Sequence, residues 1–384
     1  MKIDQVNVYK ISLPFTGDFS ISRIKGTCAN NAVVEVIADQ GEIGGYGEGA
    51  PVEFVTGETQ EGVVKSVSNF AQRDSFPWKL HDVLQIWDFV DSLPRGKEND
   101  AAICATEMAL LDALGKSQNK SIRDYLPKDF HTNEVCYGAP ITLGNKQRIM
   151  EICGLISNLG ITDLRIKLGN DFEQNKNAIE TVGLIFGDDC DLRIDPNGVW
   201  DRDLAFKHVP LIEKYNVKIV EEPMSPLDPG FIEFAGLMKS YGVILMACET
   251  APTLGDVERI IKDGYYEMIN VKLSRSGGFR RSLRIIERIR GSGLSFQIGC
   301  SLGESGILSA AGRALSLLCG DAAYYDGSYD RWMLKENTTT EDVSFGPGGK
   351  AGPLEGFGLG VEINRETLMR LSNGSPSVTI SNPL

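Results

Sequence analysis

The chain has 384 residues, 42% of them hydrophobic, with 52 acidic against 39 basic side chains and a formal net charge of −13. That length and hydrophobicity can bury two cores, while an acidic surface of this kind excludes nucleic acid and anionic membrane as main partners, because both would repel it. A small molecule or a protein is left as the partner.

The amino-terminal run MKIDQVNVYKISLPF alternates apolar and polar residues like a strand and carries Lys2 and Asp4, which argues against a signal peptide. A second alternating run, NAVVEVIADQG, precedes amphipathic stretches around TQEGVVKSVSNFAQ, WKLHDVLQIWDFVDSL and ENDAAICATEMALLDALGKSQ. Residues 1–130 are therefore expected to form an α+β domain. No apolar run reaches the roughly eighteen residues of a membrane-spanning helix.

Beyond this point β-rich runs alternate with helical ones. The candidate strands are EVCYGAPITL (134–143), DLRIKLG (163–169), DLRIDPNG (191–198), VKIVEEPM (217–224), GVILMACET (242–250), MINVKLSR (268–275), LSFQIGCSL (294–302) and AYYDGSY (323–329). Between them lie segments of helical periodicity such as NKQRIMEICGLISNLG, EQNKNAIETVGLIFG and FRRSLRIIERIRGSG. The repeat length is that of one strand plus one crossover helix, and eight such units predict a closed (β/α)8 barrel over residues 131–344. An open doubly wound sheet is the alternative, but GAPITLGNKQ lacks the GxGxxG spacing that a dinucleotide fold carries after its first strand. The tail from 345 to 384 opens with FGPGGKAGPLEGFGLGVEI, too rich in Gly and Pro for a barrel helix, and is expected to return over the first domain or the barrel mouth.

Eight cysteines lie far apart in sequence with no CxxC pair, and His81, His131 and His208 have no ligand spacing. Reduced, buried thiols in a cytoplasmic protein are expected, and neither a zinc site nor a Ser-His-Asp triad has support.

In a barrel of this type the reactive groups stand at the carboxyl ends of the strands. Taken in order, those ends offer Lys167, then Asp195 with Asn197, then Glu221 and Glu222, then Glu249, then Lys272. Residues two apart share a face of a strand, so Arg165 with Lys167, Arg193 with Asp195 and Asn197, and Asn270 with Lys272 each turn one way. A carboxylate or lysine ending a single strand is usually a solvated group or a surface ion pair. Consecutive strands supplying Lys, Asp, Glu, Glu and Lys in register are harder to read so. Gathered carboxylates repel unless a cation lies among them, and oxygen ligands alone select a hard ion such as Mg²⁺.

This order resembles the enolase superfamily and, within it, the muconate lactonizing enzyme subgroup, over nearly the whole chain. LRIKLG is similar to that family's Lys-x-Lys strand, LRIDPNGVW to its Asp-x-Asn strand, IVEEP to its Glu-Gln-Pro strand, and NVKLSRSGG to its Lys strand with Gly-Gly. The resemblance implies a modified barrel with an amino-terminal capping domain completed by the carboxyl-terminal segment, Mg²⁺ as cofactor, and dimers or larger homo-oligomers. It implies Lys167 and Lys272 as an acid/base pair on opposite faces of a small carboxylate substrate, and Asp195, Glu221 and Glu249 as metal ligands. Arg165 and Asn197 are implied beside the substrate, as are Cys300 and Glu304 from the seventh strand and Tyr324 and Asp326 from the eighth.

Departures accompany the likeness. Arg165 stands for a lysine and cannot act as a base, Glu222 stands for a glutamine, and Cys248 occupies the position of the usual metal-binding aspartate, where a lone thiolate is a poor Mg²⁺ ligand. Glu249 reaches the metal if the strand ends early; if the strand runs straight with Cys248 inward, the third ligand comes from elsewhere. Tyr324 replaces the first Asp of the Asp-x-Asp with which dipeptide epimerases hold an α-ammonium group. Phe19, Ile24 and Lys25 fall in the counterpart of the capping loop. The implied activity is proton abstraction α to a carboxylate through an enediolate, as a racemase or epimerase of an amino acid derivative or dipeptide. A dehydratase, a cycloisomerase or a non-catalytic binding protein with a decayed site are the alternatives.

Overall fold

The computed structural model describes residues 1–21 and 24–383, the side chains of 18–25 excepted. The side chains of Phe19, Ile24 and Lys25, expected at the capping loop, thus lie outside the described residues. The alternating amino-terminal runs form strands β1 (Ile3–Ile21) and β2 (Ile24–Ala38), joined antiparallel to β3 (Ile43–Gly49). Helices α1 (Glu53–Thr56), α2 (Gln60–Ala71), α3 (Val83–Ser92) and α4 (Asp100–Gln118) follow. Strand β3 lies directly against α4: a Cβ at Gly45, Gly47 or Gly49 would come within 2.3, 2.0 or 2.4 Å of the carbonyl oxygens of Ala109, Ala105 and Ala101. The alternate glycines of IGGYGEG let backbone meet backbone, so α4 is buried from Asp100 to Gly115.

The barrel runs through β4 (Val135–Cys136), β5 (Ala139–Ile141), α5 (Lys146–Leu159), β6 (Asp163–Lys167), α6 (Phe172–Phe186), β7 (Asp191–Asp195), α7 (Arg202–Lys214), β8 (Ile219–Glu221), α8 (Phe231–Ser240), β9 (Ile244–Ala247), α9 (Leu254–Asp263), β10 (Met268–Lys272), α10 (Gly278–Arg290), β11 (Ser295–Gly299), α11 (Gly306–Leu318) and β12 (Tyr324–Tyr325). Strands β5 to β12 pair in parallel in chain order, and the Gly138 N–H donates to the Tyr325 carbonyl at 2.8 Å, joining the first strand to the last. Asn145, Asp171, Asp201 and Thr253 cap helices α5, α6, α7 and α9 by accepting from the backbone N–H three residues on, which starts each helix at its strand-end loop.

Two strand expectations change. The run 134–143 is not one strand, because Val135 and Cys136 pair antiparallel with β13 (Lys350–Ala351) before the chain enters the barrel at β5. The run 323–329 keeps two residues in its strand, since Ser328 turns the chain at a positive φ of 57°. The eighth unit then has a single turn, α12 (Asp330–Met333), where the others carry a full helix. After α13 (Arg365–Leu371), β14 (Val378–Ser381) pairs antiparallel with β1. Along the way the Leu359 N–H donates to Asp112 on α4 at 2.8 Å and Arg365 reaches Glu35 at 2.6 Å. The tail thus packs on the amino-terminal domain.

Buried carboxylates tie the two parts together. Glu107 on α4 accepts from the N–H groups of Phe279 and Arg280 at the start of α10, the latter at 2.9 Å. Glu48 on β3 accepts from Ser305 and Leu308 at the start of α11, at 3.1 and 3.0 Å. Unpaired N–H groups and the positive end of a helix favour an anion there. The cysteines are all unpaired; Cys104, Cys153, Cys248 and Cys319 are buried as expected, whereas Cys136 is exposed. Among the described residues no helix is long and apolar enough to cross a membrane.

Candidate active site

Strand alternation sends one set of side chains from every strand into the barrel. At the amino end these are Ile219, Met246 and Met268, an apolar plug on which Tyr324 also packs. Above the plug the interior is ionic. Arg193 is fully buried and bonds Asp163 at 2.9 Å and Asp326 at 3.1 Å. Arg165 lies 3.0 Å from Asp326 and 3.2 Å from Glu221, whose other oxygen accepts from Asn270 at 2.7 Å.

The carboxyl ends carry the reactive groups. Lys167 pairs with Asp195, whose second oxygen accepts the Asn197 N–H at 2.8 Å. Asn197 adopts a positive φ of 53° and donates its side-chain amide to Glu249 at 3.0 Å. The other carboxylate oxygen of Glu249 is buried with no partner among the described residues. Burial pushes the Asp195 carboxyl up to about 7, with Glu221 and Glu249 adding to the rise and Lys167 opposing it. Glu221 is held well below the usual carboxylate range, because Arg165, Lys167 and Lys272 outweigh the cost of its burial.

The question at the fifth strand resolves through both residues. β9 ends at Ala247; Cys248 keeps the inward parity of Ile244 and Met246, and its sulfur accepts from Arg275 at 3.0 Å. The chain then turns, so Glu249 also reaches the site beside Asn197. Glu222 organises that turn. Its carboxylate accepts the Cys248 N–H at 2.7 Å, the Thr250 N–H at 3.2 Å and the Thr250 hydroxyl at 3.1 Å. It therefore points away from the barrel interior, opposite to Glu221.

Lys272 ends β10 with its amine making no hydrogen bond or ion pair within 4 Å to any described residue. Burial alone would lower its pKa, but the nearby Cys248, Glu249 and Glu221 outweigh it and hold the ammonium above its ordinary value. Lys167 and Lys272 stand on strands four apart in a ring of eight, which puts them on opposite sides of the mouth. A cavity of about 990 Å³ opens between them, lined also by Arg165, Asn197, Glu249, Arg275 and Cys300.

Tyr324 is a correction to the expected site. It sits in the apolar plug at the amino end, with Arg193 4.6 Å above its ring and its hydroxyl donating to Asp191 at 2.7 Å, because two residues of strand separate it from Asp326. Asp326 does enter the barrel interior, but below the cavity and paired with two arginines, so it is not on the cavity wall. Glu304 likewise turns from the cavity; it accepts the Ser301 N–H at 2.5 Å, and burial pushes its carboxyl up to about 8. Arg275, Trp332 and Met333 line the cavity and were not expected. Arg275 lies within NVKLSRSGG, where only the lysine and the glycines drew notice.

The donor set fits a hard divalent ion in its chemistry. Three electrostatically coupled carboxylates meet here, and a buried Glu249 oxygen has no partner. Among the described residues, however, no three acidic, His or Cys side chains are already disposed as a metal cage, for Lys167 and Arg165 sit on Asp195 and Glu221.

A parallel barrel with an ionic interior, opposed amines at its mouth and a capping domain above them has the layout of a barrel enzyme, whose reactive groups stand at the carboxyl ends of the strands. The chain belongs to the family described as enolase C-terminal domain-like, which matches residues 150–367. A hydrophobic dipeptide epimerase of Enterococcus faecalis is 27% identical over 317 residues, covering 81% of this chain and 86% of its own length. An N-succinyl-L-Arg/Lys racemase of Bacillus cereus is 23% identical over 383 residues, 97% of this chain and 98% of its own. The crystal structure of N-succinyl Arg/Lys racemase from Bacillus cereus superposes with a TM-score of 0.84 at 22% identity over 99% of both chains. That of a dipeptide epimerase from Cytophaga hutchinsonii, complexed with Mg and D-Ala-L-Val, superposes with a TM-score of 0.83 at 24% identity over 99% of both. These likenesses establish the shared fold.

Proposed function

We propose that the protein is a racemase or epimerase of an amino acid derivative or dipeptide, moving the proton α to the substrate carboxylate between Lys167 and Lys272. The observation that carries this reading is the pair of amines on opposite sides of one cavity, one of them, Lys272, without a hydrogen-bonding partner among the described residues. A base on one face removes the proton and an acid on the other returns it, which inverts the carbon. Arg165 and Arg275 add positive charge that draws the substrate carboxylate to this end of the cavity. The names of the similar racemase and epimerase support the same chemistry.

Asp195, Glu221 and Glu249 would hold Mg²⁺, as the partnerless Glu249 oxygen and the hard donor set favour. When bound, the ion supplies positive charge against the substrate carboxylate and so acidifies the α-proton. Lys167 competes for the same Asp195 oxygen, so releasing it frees the amine for proton transfer. Asn197, bonded to both Asp195 and Glu249, keeps those two carboxylates in register.

The test is α-proton exchange in deuterated water with added Mg²⁺, over N-substituted amino acids, dipeptides, proline derivatives and hydroxy acids. Deuterium is expected at the α-carbon of both epimers of a substrate, with Lys167→Ala and Lys272→Ala each abolishing exchange from one face. Exchange confined to one face in the unaltered protein would sink two-base inversion, and release of a 2-keto acid would move the assignment to elimination.

A further inference from the structure

A lysine that moves a proton must present its amine within about 0.5 Å of one place, and once Lys167 leaves Asp195 its side chain is no longer held at the tip. What then fixes the amine is the backbone beneath it. That backbone is anchored two residues on, at Gly169, where one side chain takes both main-chain polar groups. Asn175 of α6 accepts the Gly169 N–H at 2.8 Å and donates to the Gly169 carbonyl at 2.8 Å. The indole N–H of Trp200 donates to the same carbonyl at 3.0 Å. Between Lys167 and this anchor, the Leu168 N–H donates to the Asp195 carbonyl at 3.0 Å.

His208 of α7 lies behind the clamp, off the cavity wall. It is fully buried, as is Asn175, and its ring stacks on Trp200 with centroids 4.1 Å apart. Its Nδ1 is 2.7 Å from the Leu204 carbonyl, which can only accept, so Nδ1 carries the hydrogen. Burial pushes the pKa of the ring down to about 4, so near neutral pH it holds that one hydrogen and Nε2 is bare. Nε2 therefore accepts from Asn175 Nδ2 at 3.2 Å, which turns the Asn175 amide oxygen to the Gly169 N–H. The end of β10 is held by other groups: the Ser276 N–H donates to the Lys272 carbonyl at 2.9 Å, and the Ser274 hydroxyl accepts the Ala50 N–H at 2.9 Å.

Resting on the two-base reading above, we propose that Asn175, oriented by His208 and backed by Trp200, is a positioning residue for Lys167 and not for Lys272. It touches no reacting atom; it sets the place from which β6 presents the amine to the α-carbon. Loosening the clamp weakens proton transfer on one face of the substrate, which a general loss of stability does not do.

The experiment follows deuterium wash-in at the α-carbon of each epimer separately, with the faces assigned by Lys167→Ala and Lys272→Ala. Asn175→Leu keeps a similar shape and removes both bonds to Gly169. Exchange of the epimer whose α-hydrogen faces Lys167 is expected to fall about ten- to hundredfold, as for a misplacement of about 1 Å, while exchange with retention of the other epimer stays within about threefold. Trp200→Phe keeps a ring on His208 and deletes one N–H, so it shifts the same ratio by roughly two- to tenfold. Should Asn175→Leu not fold, Trp200→Phe decides. A ratio between the faces that stays unchanged, whether or not total exchange falls, overturns the proposal. If no substrate exchanges in the unaltered protein, the two-base reading falls, and reductive methylation read by mass spectrometry decides the clamp. A Lys167-to-Lys272 labelling ratio that rises in the variants upholds it, and an unchanged ratio overturns it.

Discussion

Arg193 is the most consequential single side chain inside the barrel. It is fully buried, donates to Asp163 at 2.9 Å and to Asp326 at 3.1 Å, and lies 4.6 Å over the ring of Tyr324. Arg193→Met keeps an unbranched side chain in the space but strips Asp163 of its guanidinium and leaves Asp326 with Arg165 as its cationic partner. Removing one partner from a buried ion pair costs about 3–5 kcal/mol, because the other charge stays buried and uncompensated. At about 2.1 cal/mol/K per residue, 384 residues give an unfolding entropy of roughly 0.8 kcal/mol/K, so Tm is expected to fall by about 4–6 °C. Urea unfolding of the single variants and the double variant completes the cycle. Asp163→Asn in the Arg193→Met background removes the stranded charge, so the double variant should be more stable than the sum of the singles by about 1–3 kcal/mol. Additivity within about 0.5 kcal/mol would show that the two charges do not sustain one another, and the account of the barrel interior would fail.

Glu107→Ala removes the acceptor for the first N–H groups of α10 and is expected to cost about 1–3 kcal/mol. Hydrogen exchange at the amides of Phe279 and Arg280 reads it directly, and unchanged protection there would refute the tie between α4 and the barrel. Burial pushes the Glu58 carboxyl up to about 7 from 4.5, against the Ala101 N–H bonds that lower it, so the folded state keeps a proton that the unfolded chain releases. That contribution to stability is complete below about pH 4.5 and is lost as pH rises through 7. Glu58→Gln is therefore expected to lose less of its thermal midpoint than the unaltered protein between roughly pH 5 and pH 8. Equal slopes would count against it.

The strand-helix repeat and the common face of Arg165 with Lys167 and of Asn270 with Lys272 were legible because both rest on local periods, 3.6 residues for a helix and 2 for a strand. The third strand of the first domain was not, since the glycines of IGGYGEG lower strand propensity while permitting contact with α4. Tyr324 and Asp326 share a face, yet one packs in the apolar plug and the other among arginines. Depth along a strand depends on how neighbouring strands are staggered, which pairing decides. Cys248 and Glu249 make the same point. Alternation predicts opposite directions for adjacent residues, and it took the end of β9 at Ala247, held by Glu222 from the neighbouring strand, to bring both toward the site.

The sequence by itself determined the barrel, most of the capping domain's elements and the ordered set of lysines and carboxylates at the strand ends, because apolar periodicity and charge are written residue by residue. Only the tertiary structure decided which of those charges are already spent. Asp326 is neutralised by Arg165 and Arg193, residues from two other strands. Among the described residues the amine of Lys272 forms no such ion pair, and the cavity between the two lysines is lined by segments that meet only when the eighth strand closes on the first. Ion pairing and cavity shape depend on distances between residues far apart in the chain, which no local pattern encodes.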